Sequence, residues 1–289
     1  MKKKFDNFRA VTDRVIEQMR EFGSDWTKPF ASLFGLPFNA VTNKQYRGSN
    51  IIILMMKEQQ YWAGRGQWRT IGAEVRKEES RNGTWICRPH TGTVEERNPA
   101  TGELEKRTYQ TWRWNPIFSA DQVDGFEVPH TDSPDLTTVL ANVDSYLANT
   151  GAVVRDGERA CYMPSIDEIR MPRRNAFSDT PTSTATECFY STQLHETSHW
   201  TGQKTRLDRL SEKNKKGYAF EELVAELSAA ILCVMLGVSN TPRPDHAQYL
   251  NNWIQALESD SKYLFQAATK AFEAVEYLDS LQNVKDVAA

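Results

Sequence analysis

A chain of 289 residues, 39% hydrophobic and 25% charged, is long enough for two separately cored domains, yet no apolar run approaches the roughly 20 residues of a bilayer span. The net charge of -3 excludes a polycationic or polyanionic chain but hides an asymmetry: residues 1–130 carry 20 Lys+Arg against 16 Asp+Glu, and the remainder 15 against 22. The start Met1-Lys2-Lys3-Lys4-Phe5-Asp6 has no signal-peptide core, and Cys87, Cys161, Cys188 and Cys233 have no paired spacing, so a soluble cytoplasmic protein with reduced thiols and no membrane partner is expected.

In chain order, Phe5 to Phe22 reads as an amphipathic helix with Phe8, Val11, Val15, Ile16 and Met19 on one side and Gly23 as its stop. A loop punctuated by Pro29 and Pro37 follows, and Tyr46-Arg47-Gly48-Ser49-Asn50 leads into Ile51-Ile52-Ile53-Leu54, which periodicity leaves open between helix and strand. From Trp68 to Phe118 the pattern turns β-like, and Thr84–Cys87 and Thr108–Trp114 predict a long exposed hairpin around the turn Asn98-Pro99-Ala100-Thr101-Gly102. Six of the eight tryptophans precede residue 130, interleaved with cations, as a single-strand binder requires: cations follow phosphates and flat rings stack on unpaired bases. The candidate DNA contacts are Trp26, Lys28, Tyr46, Arg47, Asn50, Trp68, Arg69 and Lys77, where rings and basic or amide groups adjoin in loops. Glu127 to Pro134 has linker composition and divides the chain into 1–130 and 131–289.

Beyond it, Asp135 to Asn149 reads as a helix closed by Gly151, and Asp156-Gly157 as the turn of a tight hairpin. Asp167 to Pro172 reads as an edge strand able to hold an extended peptide. Then comes His195-Glu196-Thr197-Ser198-His199. On a helix starting near Ser191 or Thr192 and ending at Gly202, one turn brings both imidazoles to the same face, where they can bind one divalent ion while Glu196 acts as general base toward the water it activates. Gly217 to Gly237 predicts a second helix in which Glu221 belongs to a solvated flank, while of Glu222 and Glu226, one turn apart, one can bind the ion and the other fix a ligand's ring. Two His and one carboxylate leave a position for water and make zinc the default ion, with manganese, cobalt or nickel also accepted. Tyr190, Tyr218 and His246 are the candidate oxyanion donors, with nothing to choose among them, and Asp245 to Leu281 is a helical tail.

The run Glu222-Leu223-Val224-Ala225-Glu226-Leu227-Ser228-Ala229 resembles the second helix of gluzincin metallopeptidases, which implies Glu222 as third ligand and Glu226 behind it. More broadly, Val11–Ile16, Trp26-Thr27-Lys28-Pro29, Pro37-Phe38-Asn39, Tyr46–Asn50, Tyr162-Met163-Pro164, Ile169–Pro172, Leu194–Gly202 and Tyr218–Leu227 together resemble the ArdC antirestriction family of conjugative plasmids, whose first part is similar to a region of TraC-type primases. The resemblance implies an α+β fold, with a mixed α+β single-stranded-DNA-binding domain followed by a zincin-like, gluzincin-type metallopeptidase domain. It implies protection of incoming DNA from host restriction, with single-stranded DNA and a protein substrate or host restriction component as partners. The sequence departs from the pattern at Thr197, where such helices usually carry an apolar residue, and at Arg76-Lys77-Glu78-Glu79, where relatives tend to have Gly after the basic pair. The competing reading is a non-catalytic protein that coats single strands, its metal site purely structural.

Overall fold

Asp6 accepts the Arg9 amide at 3.1 Å and opens helix α1 (Asn7–Phe22), which Gly23 ends at φ +57°. The computed structural model describes residues 6–23, 26, 35–97, 103–129, 136–180, 183–210, 215–238 and 246–282. Lys28, the turn 98–102 and most of the linker (130–134) lie outside them. The run Ile51–Leu54 is helical, within α2 (Ser49–Met55), where every residue except Asn50 is buried. A helix apolar all round carries no amphipathic period, so sequence alone left it unassigned.

Short strands β1 (Phe38–Asn39), β2 (Lys44–Gln45) and β3 (Tyr61–Ala63) join the long β5 (Thr84–Arg97) and β6 (Leu104–Ser119) in a sheet of order β2-β1-β3-β6-β5. The expected hairpin is present, antiparallel from Thr84↔Ile117 to Arg97↔Leu104. Trp68 does not open the β region: it sits in helix α3 (Arg65–Thr70), ahead of β4 (Glu74–Val75), which pairs with β7 (Val123–Asp124).

Helix α4 (Leu136–Asn149) precedes a second sheet of order β8-β10-β9, formed by β8 (Val153–Asp156), β9 (Cys161–Met163) and β10 (Glu168–Met171). Two expectations fail here. Asp156-Gly157 is no hairpin turn, because β8 runs parallel to β10, and a Cβ on Gly157 would lie 2.9 Å from the Cβ of Arg170; this glycine permits close approach, not a positive φ. Nor is β10 an edge. It pairs on both sides, and the true hairpin joins β9 to β10 through Asp167 at φ +54°.

Four helices follow among the described residues: α5 (Ala185–Thr201), α6 (Lys215–Leu236), α7 (His246–Ser259) and α8 (Tyr263–Ser280). The tail is therefore two helices, and α5 starts about two turns earlier than predicted. Its cap is Thr184, whose side chain and that of Glu187 satisfy each other's backbone amides, rather than Ser191 or Thr192, which lie inside the helix. One continuous core joins Val15, Ile16 and Met19 of α1 and the isoleucines of α2 to α4 through α8, so helices from the first part pack into the second; a smaller core surrounds Trp68, Phe118 and Val123. All four cysteines are free thiols, and among the described residues no helix is long and apolar enough to cross a membrane.

Candidate metal centre

The two metal helices lie against each other with their polar residues turned inward. His195, Glu196, Glu222 and Glu226 are 1%, 2%, 6% and 4% exposed, burial that isolated charges do not tolerate. Their compensation is mutual. His195 Nε2 and His199 Nε2 stand 3.1 Å apart, with Glu222 oxygens 3.6 Å from the first and 3.5 Å from the second. Donors about 2.0–2.2 Å from a tetrahedral ion lie about 3.4 Å from one another, so these three groups fit a single ion. Among the described residues they are the one such cluster of His, Cys or carboxylate groups.

The opposite edges of the rings fix their tautomers. Glu226 Oε1 lies 2.9 Å from His195 Nδ1, and Glu221 Oε1 3.3 Å from His199 Nδ1. Carboxylates only accept, so each Nδ1 carries a proton, and both Nε2 atoms face Glu222. Without metal a second proton on His199 fills that point; in the neutral ring its Nε2 joins His195 Nε2 and a Glu222 oxygen as three donors that could hold one divalent ion.

Glu221 corrects the sequence reading: it is 7% exposed, not on a solvated flank. Arg209 grips both its oxygens, Nε to Oε2 at 3.1 Å and Nη2 to Oε1 at 2.9 Å, and also donates to the Ser198 carbonyl and Thr201 hydroxyl at the end of α5. Arg209 thus ties the second carboxylate to the helix carrying His199. Nothing in local sequence pointed to it. Thr197, the departure from the apolar pattern, spends its hydroxyl on the Gln193 carbonyl at 2.8 Å and so remains compatible with burial.

Glu196 faces β9, and its Oε2 accepts the Tyr162 amide at 2.8 Å. Tyr162 is held in turn: its hydroxyl donates to Asp167 at 2.7 Å, and Arg206, which bonds Asp167 and the Trp200 carbonyl, lies 3.8 Å over the Trp200 ring. Of the oxyanion candidates, Tyr190 is buried and engages Asp144 and Arg174, whereas Tyr218 is 55% exposed, its ring 5.7 Å from that of Tyr249 and its hydroxyl under the influence of the Glu222 charge. The His246 side chain lies outside those described.

The cluster's protonation follows from its geometry. Burial alone lowers the His199 pKa, but hydrogen bonds to Glu221 and Glu222 outweigh it and push the value up to about 10 from 6.5. Burial alone raises Glu222 and Glu221, and the histidines, with Arg209 beside Glu221, bring both below the usual 4.5. Without metal, the contribution of His199 to stability is complete below pH 6.5 and is lost as pH rises toward 10, while that of the carboxylates is complete above 4.5 and is lost below it. The melting temperature in EDTA is therefore expected to be highest between pH 4.5 and 6.5 and to fall on the alkaline side, a limb that saturating zinc flattens by replacing the proton. Thermal unfolding from pH 4 to 10 checks this; an alkaline limb unchanged in His199→Ala would contradict it.

The candidate DNA contacts are scattered, and several are corrected. Trp26 and Trp68 are fully buried, the first edge-on to Trp253 at 6.0 Å and the second donating its indole N–H to the Phe118 carbonyl at 3.0 Å, so neither is a stacking platform. Asn50 is spent on structure, exchanging hydrogen bonds with the Cys87 backbone at 2.7 and 3.0 Å to dock α2 on β5. Tyr46 is half-buried, its hydroxyl joined to Asn39 and the Trp62 carbonyl and its pKa pushed up to about 12 by burial. Arg47 pairs with Glu276 and Arg69 with Glu74, both at the surface; Lys77 is exposed. The exposed rings that sequence reasoning missed are Trp85, Tyr109 and Trp112 on the β5–β6 hairpin, and strand alternation was the signal for them.

Residues 5–118 match the model of the N-terminal domain of anti-restriction factor ArdC, and residues 141–270 match that of zincin-like metallopeptidases. The chain is similar over nearly its whole length to crystal structures of the antirestriction ArdC protein from the R388 plasmid. The metal-free form aligns at TM-score 0.76 and 32% identity, covering 96% of this chain and 98% of that one; the Mn(II)-bound form aligns at 0.71 and 31%, covering 97% and 100%. It is 34% identical over 291 residues to a DNA primase TraC of Escherichia coli, spanning 93% of this chain but only 26% of the primase. It is also 30% identical over 297 residues to an uncharacterised protein, y4eC, of Sinorhizobium fredii, covering 96% of this chain and 93% of that protein.

Proposed function

The chain belongs to the ArdC antirestriction family, and from that premise we propose that it protects incoming plasmid DNA from host restriction in the cytoplasm, binding single-stranded DNA through residues 1–130 and acting on a protein through a metal-dependent peptidase site in residues 131–289. The observation that carries the reading is the convergence of His195, His199 and Glu222 on one point, with Glu226 and Glu221 holding the ring protons away from it. The ion is zinc by donor chemistry; manganese, present in one crystal form of the relative, suits the same donors.

When bound, a divalent ion supplies Lewis acidity to a water and to the scissile carbonyl. Glu196 takes the proton of the attacking water and returns it to the leaving amine, its carboxylate oriented by the Tyr162 amide. Tyr218, raised by partial burial and by the neighbouring Glu222, keeps its hydroxyl proton at all working pH values and donates to the tetrahedral oxyanion. The edge strand beside α5 is β9, so an extended peptide would lie along β9 rather than β10.

Transfer of a plasmid carrying this gene, with and without an in-frame deletion, into restricting and non-restricting recipients tests the proposal. A drop confined to the restricting recipient is expected; an equal drop in both, or none, overturns it. Binding to a single-stranded oligonucleotide should weaken linearly in log–log with salt, because phosphate contacts release counterions, and should survive EDTA. Fluorescence anisotropy measures both, and loss of binding in EDTA would contradict the assignment of DNA and metal to different regions.

A further inference from the structure

The β5–β6 hairpin presents two different faces. Residues paired across an antiparallel ladder share a face and alternate along it, so Arg88↔Arg113, His90↔Thr111 and Gly92↔Tyr109 fall on one side. The other side carries Cys87↔Trp114 and Pro89↔Trp112, and its root is docked: Cys87 is buried, and Trp114 and Trp112 meet Phe8 edge-on at 5.0 and 6.2 Å. Only this root is docked: Trp112 stays 43% exposed and beyond it both faces meet solvent, so what singles out the Arg88 face is its chemistry.

On the open face, Arg88 and Arg113 stand directly opposite each other, an arrangement that destabilises a ladder. Both are exposed, and among the described residues neither guanidinium has a carboxylate partner. The contrast lies on the same hairpin, where Arg107, nearer the tip, is neutralised by Glu96 at 3.1 Å. Next to the unneutralised pair is a platform. The Tyr109 ring lies over Gly92, where a Cβ would come within 2.5 Å of it, and the residue is nonetheless 45% exposed, so its outer ring surface is open. Four residue steps along the strand separate ring from cations, about 13 Å at the rise of an antiparallel strand.

Resting on the single-strand reading above, we propose that this face is where the DNA strand lies, with Arg88 and Arg113 taking phosphates and Tyr109 stacking on a base. Uncompensated guanidiniums select an anion, and an open ring at a fixed distance selects a polyanion with flat, unpaired rings. The strand itself relieves the Arg88–Arg113 repulsion.

Anisotropy of a labelled oligodeoxythymidine against the full chain tests this. For the double variant Arg88→Ala/Arg113→Ala, affinity is expected to fall about tenfold at low salt, and the log–log salt slope to fall by about 1.4, two contacts at about 0.7 each. Tyr109→Ala should lose about five- to a hundredfold with its slope kept. Arg88→Glu separates binding from folding: it faces Arg113 with an opposite charge, so its melting temperature should hold or rise while affinity drops. Lys106→Ala, on the other face, should bind as the parent does. The assignment is overturned if the parent binds and the three open-face changes leave affinity and slope intact, or if Lys106→Ala loses as much as they do. No binding by the parent would instead remove the single-strand reading, and this one with it.

Discussion

Glu196→Gln is expected to reduce peptide hydrolysis by about 10²- to 10⁴-fold while leaving the bound ion and the melting temperature at parental values. The separation follows from the contacts of this side chain. Its structural task is to accept the Tyr162 amide at 2.8 Å, and the amide oxygen of glutamine accepts that bond equally well. What glutamine cannot do is take a proton from water. Restriction protection by this variant then decides between the two readings of the metal site: loss of protection ties antirestriction to hydrolysis, and parental protection leaves the ion with a structural role and residues 1–130 with the activity.

The second large effect concerns ligand identity. Glu222→Ala should remove the ion from the purified protein altogether, since two imidazoles alone leave a site half open, whereas Glu226→Ala should retain it with affinity about 10- to 100-fold lower. Glu222 reaches both Nε2 atoms, at 3.6 and 3.5 Å, while Glu226 meets His195 at Nδ1, on the far side of the ring. Metal content by mass spectrometry, with zinc competition for affinity, distinguishes them. The reverse ranking would mean that the two carboxylates exchange roles when the ion binds.

The sequence carried the chemistry of this site further than its supports. His195 and His199 are one helical turn apart and Glu222 precedes Glu226 by another, so local periodicity sufficed to bring the donors to two helix faces. Glu221 and Arg209 were invisible, because their burial depends on how residues 202–210 fold back over the end of α5, a tertiary event without a local pattern. The start of α5 is written in the sequence: Thr184-Ala185-Thr186-Glu187 has the spacing of a reciprocal cap, a stronger signal than the serine and threonine further in. Asp156-Gly157 misled because the same dipeptide serves a tight turn and a close strand crossing, and only the parallel pairing of β8 with β10 separates them.

The candidate nucleic-acid contacts show the complementary failure. Ring-and-cation adjacency drew attention to Trp26 and Trp68, but tryptophans beside basic residues in a chain this size more often fill the core, as both do. Alternation within Thr84–Cys87 and Thr108–Trp114 was the better guide, since a long hairpin docked only at its root must leave side chains of its strands in water.

Anomalous diffraction at the zinc edge, from crystals grown with one equivalent of zinc, tests the central claim most directly. A single peak about 2.0–2.2 Å from His195 Nε2, His199 Nε2 and a Glu222 oxygen, with both Nδ1 atoms still on Glu226 and Glu221, is the expected result. A map without a peak between the two imidazoles, or with the ion on Glu226 and Glu222 turned away, would contradict it.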